Sequence, residues 1–273
     1  MKLPYLPHCH YDEHNKILYG DHESGFYSCI NEVRNSLCRL LNYKIYPEKI
    51  SFINTLYWYR YTEDLYPYLY KSNQENIEKL KEKDFDFEYW CPTAIPFTFL
   101  KMEDVKMVED AYFQPSDFVQ QRVTQLEQKY NINYENTVAV FHRGTDKGRE
   151  AELQPVDWWI EYTDKILDKD SRILFQTDEL DFKNKFLEKY NPNIFTFEEM
   201  IFSENYVLPQ SNRVQWSVDF ESIMRIISKC YKIFTHAGNG GIIPVLYRGS
   251  LKNVYHLRSN KEYLNYNEEI NNI

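Results

Sequence analysis

The chain has 273 residues, 43% of them apolar, enough for a sizeable core in one or two domains and too many for a disordered tail. Its formal net charge of −9 argues against a protein that grips nucleic acid phosphates non-specifically. Five scattered cysteines with no C-x-x-C pair suggest neither a zinc ribbon nor a disulfide framework.

No apolar h-region is present at the start, and no stretch reaches the roughly 18 apolar residues of a membrane span. The expectation is a soluble, reduced, cytoplasmic protein. The opening "PHCHYDEHNKILYGDHES" carries His8, His10, His14 and His22 beside Cys9, Asp12 and Glu13. Those are the donor types of a zinc site, and a metal-dependent hydrolase would fit them. No strand is legible beneath His8 and His10, however, so a polar, tyrosine-rich segment or one wall of an acceptor cleft fits as well. From Phe26 to Leu41 the apolar residues Phe26, Ile30, Val33, Leu37 and Leu40 fall on one helix face, with Ser24-Gly25 at its start. "KISFINTLYWYRY" reads as a strand running into an aromatic segment. "ENIEKLKEKD" reads as an exposed helix, and "SDFVQQRVTQLEQKYN" as an amphipathic helix capped by Ser116. The run "WYRYTEDLYPYLY" reads as core in preference to a glycan-stacking surface.

From about residue 136 the pattern becomes regular. "TVAVF", "RILFQ", "NIFTF", "YKIFTH" and "NVYHL" read as strands, the last closing the series. "VDWWIEYTDKILDK", "LDFKNKFLEKYN", "DFESIMRIISKC" and "IIPVLYRG" read as the helices between them. At least one of Trp158 and Trp159 belongs to the core on this reading, as does Cys230. Alternation of this kind predicts a parallel sheet with helices on both faces, whose ligands sit beyond the carboxyl ends of the strands. The loops that matter then follow Phe141, Gln176 and Thr235.

The first of these loops offers Arg143, Asp146, Lys147 and Glu150. Arg and Lys hold phosphate oxygens, and a carboxylate orients the Arg or acts as a base; a solvated loop of paired surface charges is the alternative. The loop after Gln176 carries Asp178 and Glu179, with Thr177 or Asp178 as a helix cap. In "THAGNGG" the glycines admit a ligand to the backbone at a helix N-terminus, a tight turn without a ligand being the alternative. Its spacing is not G-x-G-x-x-G. Together the three loops describe an anion site suited to a nucleotide diphosphate.

"HRGTDKGREAELQPVDWW" resembles the R-x-T-D-K…E…P stretch of the core α1,6-fucosyltransferases, relatives of the α1,2- and protein O-fucosyltransferases. The resemblance continues through "RILFQTDELDF" and "SVDFESIMRIISKCYKIFTHAGNGG", covering residues 136–250. "ESGFYSCINEVRNSLCRLLNYKIYP" is more faintly similar to the glycine turn and helix near the family's start, which implies Gly25 and Phe26 in donor binding. The fold so implied is α/β and GT-B-like, with two Rossmann-like domains: residues 1–130 on the acceptor side and 131–273 binding the nucleotide sugar. The activity so implied is inverting transfer of fucose from GDP-fucose to a glycan hydroxyl, with no metal and no cofactor.

By position, the resemblance places Arg143 on the diphosphate, with Asp146 and Lys147 matching the acid and base that follow it. Glu150 takes the place of the catalytic base if one residue is deleted after Lys147, and Glu152 is its rival. His142, Asp178, His236, Gly238, Asn239 and Gly240 lie along the donor in this reading. The chain departs from the family at three positions. Phe141 stands where the family has His, Gly144 where it has a second Arg, and Ile223 where it has an acid, whose role Asp219 or Glu221 would take. These departures keep other readings open: another nucleotide sugar, a non-catalytic nucleotide- or glycan-binding protein, or the metal-dependent hydrolase of His8, His10 and His14.

Overall fold

The computed structural model describes residues 3–22, 24–53, 63–87, 97–144, 154–200, 213–258 and 262–270. The chain divides into two units. One comprises Met1–Gln121 and Pro209–Val218, the other Arg122–Leu208 and Asp219–Ile273.

In the first unit, β1 (Cys9–Asp12) and β2 (Ile17–Gly20) form an antiparallel hairpin, and β3 (Lys49–Ser51) pairs in parallel with β2. The hairpin corrects the expectation that no strand underlies the histidine segment: His10 lies in β1, opposite Tyr19. Its turn is built by Asp12, whose carboxylate accepts from the backbone N–H groups of His14 (2.9 Å) and Asn15 (3.0 Å). Helix α1 (Phe26–Asn42) starts at Gly25, as its apolar spacing predicts, and buries Phe26, Ile30, Val33, Leu37 and Leu40. It also buries Arg34, which faces Glu109 (Nε to Oε1 2.7 Å) and lies over the Phe113 ring at 4.2 Å.

After α2 (Tyr66–Leu69) and β4 (Tyr70–Lys71) comes α3 (Gln74–Leu80), the predicted exposed helix. Asn73 caps it, accepting from Asn76 N–H at 3.1 Å. Helix α4 (Met102–Tyr112) packs on α3, and β5 (Gln114–Pro115) pairs with β4. Tyr66 and Tyr70 are buried edge-on against Phe52 and Phe113, so this part of the aromatic run is core. Tyr68 is only half-buried, its hydroxyl donating to Glu63 at 2.7 Å, and residues 58–62 of the run lie outside the described residues. Helix α5 (Asp117–Tyr130) begins as expected at Ser116, whose hydroxyl accepts from Val119 N–H at 3.2 Å. It starts in the first unit and ends in the second.

The second unit is built on a six-stranded sheet of order β11-β10-β9-β6-β7-β8. Its strands are β6 (Thr137–Phe141), β7 (Arg172–Gln176), β8 (Ile194–Phe195), β9 (Lys232–His236), β10 (Val254–Leu257) and β11 (Tyr263–Asn265). Five are parallel, and β11 pairs antiparallel with β10, so "NVYHL" does not close the sheet. Helices α6 (Val156–Ile166) and α7 (Leu180–Tyr190) supply Trp159 and Phe186 to a cluster with Val138, Val140, Ile173, Phe175 and Phe234. These strand residues point to one face. Thr235 points to the other, where its hydroxyl donates to Gly241 O (2.8 Å) of α9 (Asn239–Arg248). Helix α8 (Arg213–Lys229) precedes β9 and includes the six residues before the predicted "DFESIMRIISKC". The short α10 (Tyr266–Ile270) ends the described chain. Among the described residues no helix is long and apolar enough to cross a membrane.

Strand order fixes where a ligand would sit. From β6 the chain moves outward through β7 to β8, then returns to the other side of β6 for β9 and β10. The loops after β6 and β9 therefore diverge from neighbouring strands, which makes the crevice between them a topological switch point.

Candidate functional site

Beyond β6, His142 extends the ladder by one residue, its N–H donating to Gln176 O at 2.8 Å. Its ring is buried, stacked on Phe182 at 3.9 Å and edge-on to Trp159 at 5.0 Å. Thr177 joins this loop to the next: its hydroxyl shares a hydrogen bond with His142 Nδ1 (2.9 Å) and accepts from Glu179 N–H (3.1 Å). Asp178 completes the junction. Oδ1 accepts from Gly144 N–H at 2.8 Å, and Oδ2 lies 3.7 Å from Arg143 Nε. Asp178 thus faces the Arg loop and does not cap α7, whose N-cap residue is Glu179.

Gly144 packs closely against its neighbours. A Cβ there would stand 2.0 Å from Glu179 Oε1 and 2.8 Å from His142 Cε1. The Glu179 carboxyl is raised above the ordinary range by burial and by Asp178 and Asp181. Asp146, Lys147, Glu150 and Glu152 lie outside the described residues.

On the other side of the switch point, His236 Nδ1 contacts Ala237 O at 2.5 Å. A carbonyl oxygen only accepts, so Nδ1 carries the hydrogen. The ring lies 5.3 Å from that of Phe141. Gly238 takes φ +133°, a conformation reserved for glycine, and is followed by Asn239 and Gly240 in the first turn of α9. Gly241 passes so close to β9 that a Cβ would stand 2.0 Å from His236 O. This packing directs the first N–H groups of α9 beyond the carboxyl edge of the sheet.

A third histidine completes a buried row that motif reading missed. His256 is enclosed within β10 and shares a hydrogen bond with Tyr266 OH at 3.1 Å. Burial, reinforced by His236 and Arg258, pushes its pKa down to about 3. Burial and His236 likewise hold His142 well below the ordinary histidine range. Nothing in "NVYHL" distinguishes that histidine from any other residue of a buried strand, and no local signal would have found it.

Asp219 and Glu221 are both engaged within the protein. Asp219 accepts from Arg122 Nε at 2.5 Å. Glu221 is buried, accepting from Arg225 Nε (2.8 Å) and from Tyr247 OH (2.9 Å), while Arg225 lies 3.3 Å above the Tyr247 ring. Ile223 is fully buried in the core. Gly25 and Phe26 lie in the first unit, where Phe26 packs edge-on against Trp216 at 5.6 Å.

The N-terminal histidines are placed by the hairpin. His10 Nδ1 is 2.6 Å from Asp21, the His8 and His22 rings are 4.2 Å apart, and the His14 N–H donates to Asp12. Among the described residues no group of three or more His, Cys, Asp or Glu is placed to hold a metal ion. The placed cysteines Cys9, Cys29, Cys38 and Cys230 are free thiols.

No family model matches the sequence, and no curated protein matches it. Among solved structures, the chain is similar to NodZ α-1,6-fucosyltransferase co-crystallised with GDP, at 9% identity and a TM-score of 0.42. That match covers 61% of this chain and 52% of the other. It is also similar to fucosyltransferase NodZ from Bradyrhizobium, at 9% identity and a TM-score of 0.40, over 61% and 52% of the two chains. A mutant of Arabidopsis thaliana FUT1 in complex with GDP is similar at 13% identity and a TM-score of 0.40, over 57% of this chain and 36% of that one. The chain therefore spans about half the length of the NodZ chains.

Proposed function

We propose that this protein is a metal-independent, inverting glycosyltransferase that moves fucose from GDP-fucose to a glycan hydroxyl. One observation carries the reading. Arg143, held at the end of β6 beside Asp178, and the N-terminus of α9 flank the same topological switch point. Phosphate oxygens suit both groups, and the sequence between them resembles that of the α1,6-fucosyltransferases. In a GT-B-like organisation, the second unit would bind the donor and the first would serve the acceptor.

In this mechanism the acceptor oxygen attacks C1 of the sugar as its proton passes to the carboxylate of Glu150. The bond from C1 to the phosphate oxygen breaks, and the diphosphate leaves with the electron pair. Arg143, Lys147 and the α9 N–H groups neutralise the charge that develops, Asp146 and Asp178 orient the cations, and His142 supports the loop. A direct test follows GDP release from GDP-fucose with mixed oligosaccharide acceptors in EDTA. Release by the wild type, with turnover lost but donor binding kept in Glu150→Gln, is the expected result. Loss in Glu152→Gln instead would move the base, and no release from any acceptor would overturn the assignment.

A second reading has its own observation. Asp219 and Glu221, which would stand in for the acid absent at Ile223, already face Arg122 and Arg225, which supports a donor base other than guanine. A transferase using a different nucleotide sugar would keep the diphosphate contacts and change only the base pocket.

A further inference from the structure

A groove of about 350 Å³ lies within the first unit, at the foot of the β1–β2 hairpin. Three segments build it. The Asp12-centred turn presents Glu13 and Lys16, and it is fixed to the next segment because Glu48 N–H donates to Lys16 O at 2.8 Å. The chain leaving α1 turns back through Ile45 N–H on Leu40 O (2.9 Å), bringing Ile45 and Tyr46 to the groove. Helix α3 supplies Gln74 and the buried Ile77.

The chemistry of this lining is selective. Its three lysines are each neutralised: Lys16 by Glu48 (2.6 Å), Lys81 by Glu78 (2.6 Å) and Lys44 by Asp84 (2.7 Å). An anion would find no uncompensated cation there. Glu13 makes no ion pair among the described residues, and the hydroxyls of the half-buried Tyr11 and Tyr46 make no hydrogen bond among them. Beneath them Tyr112 is buried, with its hydroxyl committed to Pro47 O at 2.9 Å. The groove therefore offers two tyrosine rings and an Ile45–Ile77 floor, with phenol, carboxylate and amide groups around them. Rings with polar tips match a ligand that is apolar on its faces and hydroxylated at its edge. The volume lies toward the lower end of the ~300–1,000 Å³ of small-molecule sites.

We propose that this groove is a saccharide-binding site for one or two neutral sugar units of a larger glycan, held by Tyr11, Tyr46, Glu13 and Gln74. No part of it involves the switch-point loops, so it stands or falls apart from the donor-site reading.

Calorimetric titration of the full chain with cellobiose, chitobiose, maltose and lactose, without nucleotide, tests it. At least one of them binds saturably, and Tyr46→Ala weakens that binding about tenfold. Glu13→Gln, an exposed change that leaves the packing intact, weakens it severalfold, whereas Tyr5→Ala on the exposed surface does not. Three results would overturn the proposal: no disaccharide bound at concentrations up to ~50 mM, binding indifferent to both groove variants, or binding of glucose 6-phosphate in preference to every neutral sugar.

Discussion

At the scale of single residues, close approach decides what two glycines can become. Gly144→Ala would push its Cβ against the Glu179 carboxylate, which can swing away, and against the stacked His142 ring, which cannot. We expect a loss of about 1–2 kcal/mol, within the usual range for overpacking, partly recovered in the Glu179→Ala background. Gly241→Ala meets a backbone oxygen of β9 instead, which no rotamer relieves. It should cost more, about 2–3 kcal/mol, with no recovery on changing any neighbouring side chain. Urea melts of the four variants separate the two cases. Both glycines stand out in the sequence as loop residues after strands. What a glycine there must avoid could not be read, because the obstructing atoms come from another loop or from the strand beneath.

Among elements, the parallel strands of the second unit were legible because each is a short apolar run bounded by turn signals. Three features escaped for definite reasons. The β1–β2 hairpin has polar residues on both faces and a turn built by Asp12 without an Asn-Gly or Asp-Gly pair. Strand β11 is a three-residue edge strand, too short to show a period. The partners Arg122 of Asp219 and Tyr247 of Glu221 belong to tertiary packing, lying 97 and 26 residues away in the chain.

Two elements carry testable energetics. Arg34 of α1 and Glu109 of α4 are buried together, so Arg34→Met strands a carboxylate and should cost about 3–5 kcal/mol. The double change with Glu109→Leu should recover most of that loss in a urea melt. The histidine row sets a pH dependence. The folded pKa values of His142 and His256 are lowered, so below about 6.5 the unfolded chain takes up protons that the folded chain refuses. Stability is therefore full above pH 7 and falls as the pH drops toward 5, by up to ~1.4 kcal/mol per pH unit per histidine. His256→Asn should show a shallower fall in melting temperature across that window, and an unchanged slope would contradict the account.

For the molecule as a whole, the decisive feature is strand order. The sequence pattern pointed to three loops at the carboxyl edge but could not order the strands, and so could not say which loops flank a switch point. Topology singles out those after β6 and β9, while Asp178 of the loop after β7 secures the Arg143 loop from the side. The central claim is that these loops hold a nucleoside diphosphate. The measurement that tests it most directly is calorimetric titration of GDP, UDP and CMP into the wild type and Arg143→Ala, each with and without EDTA. The account predicts saturable GDP binding that ignores EDTA and is lost in Arg143→Ala. Failure of every nucleotide to bind, or GDP binding unchanged in Arg143→Ala, would contradict it.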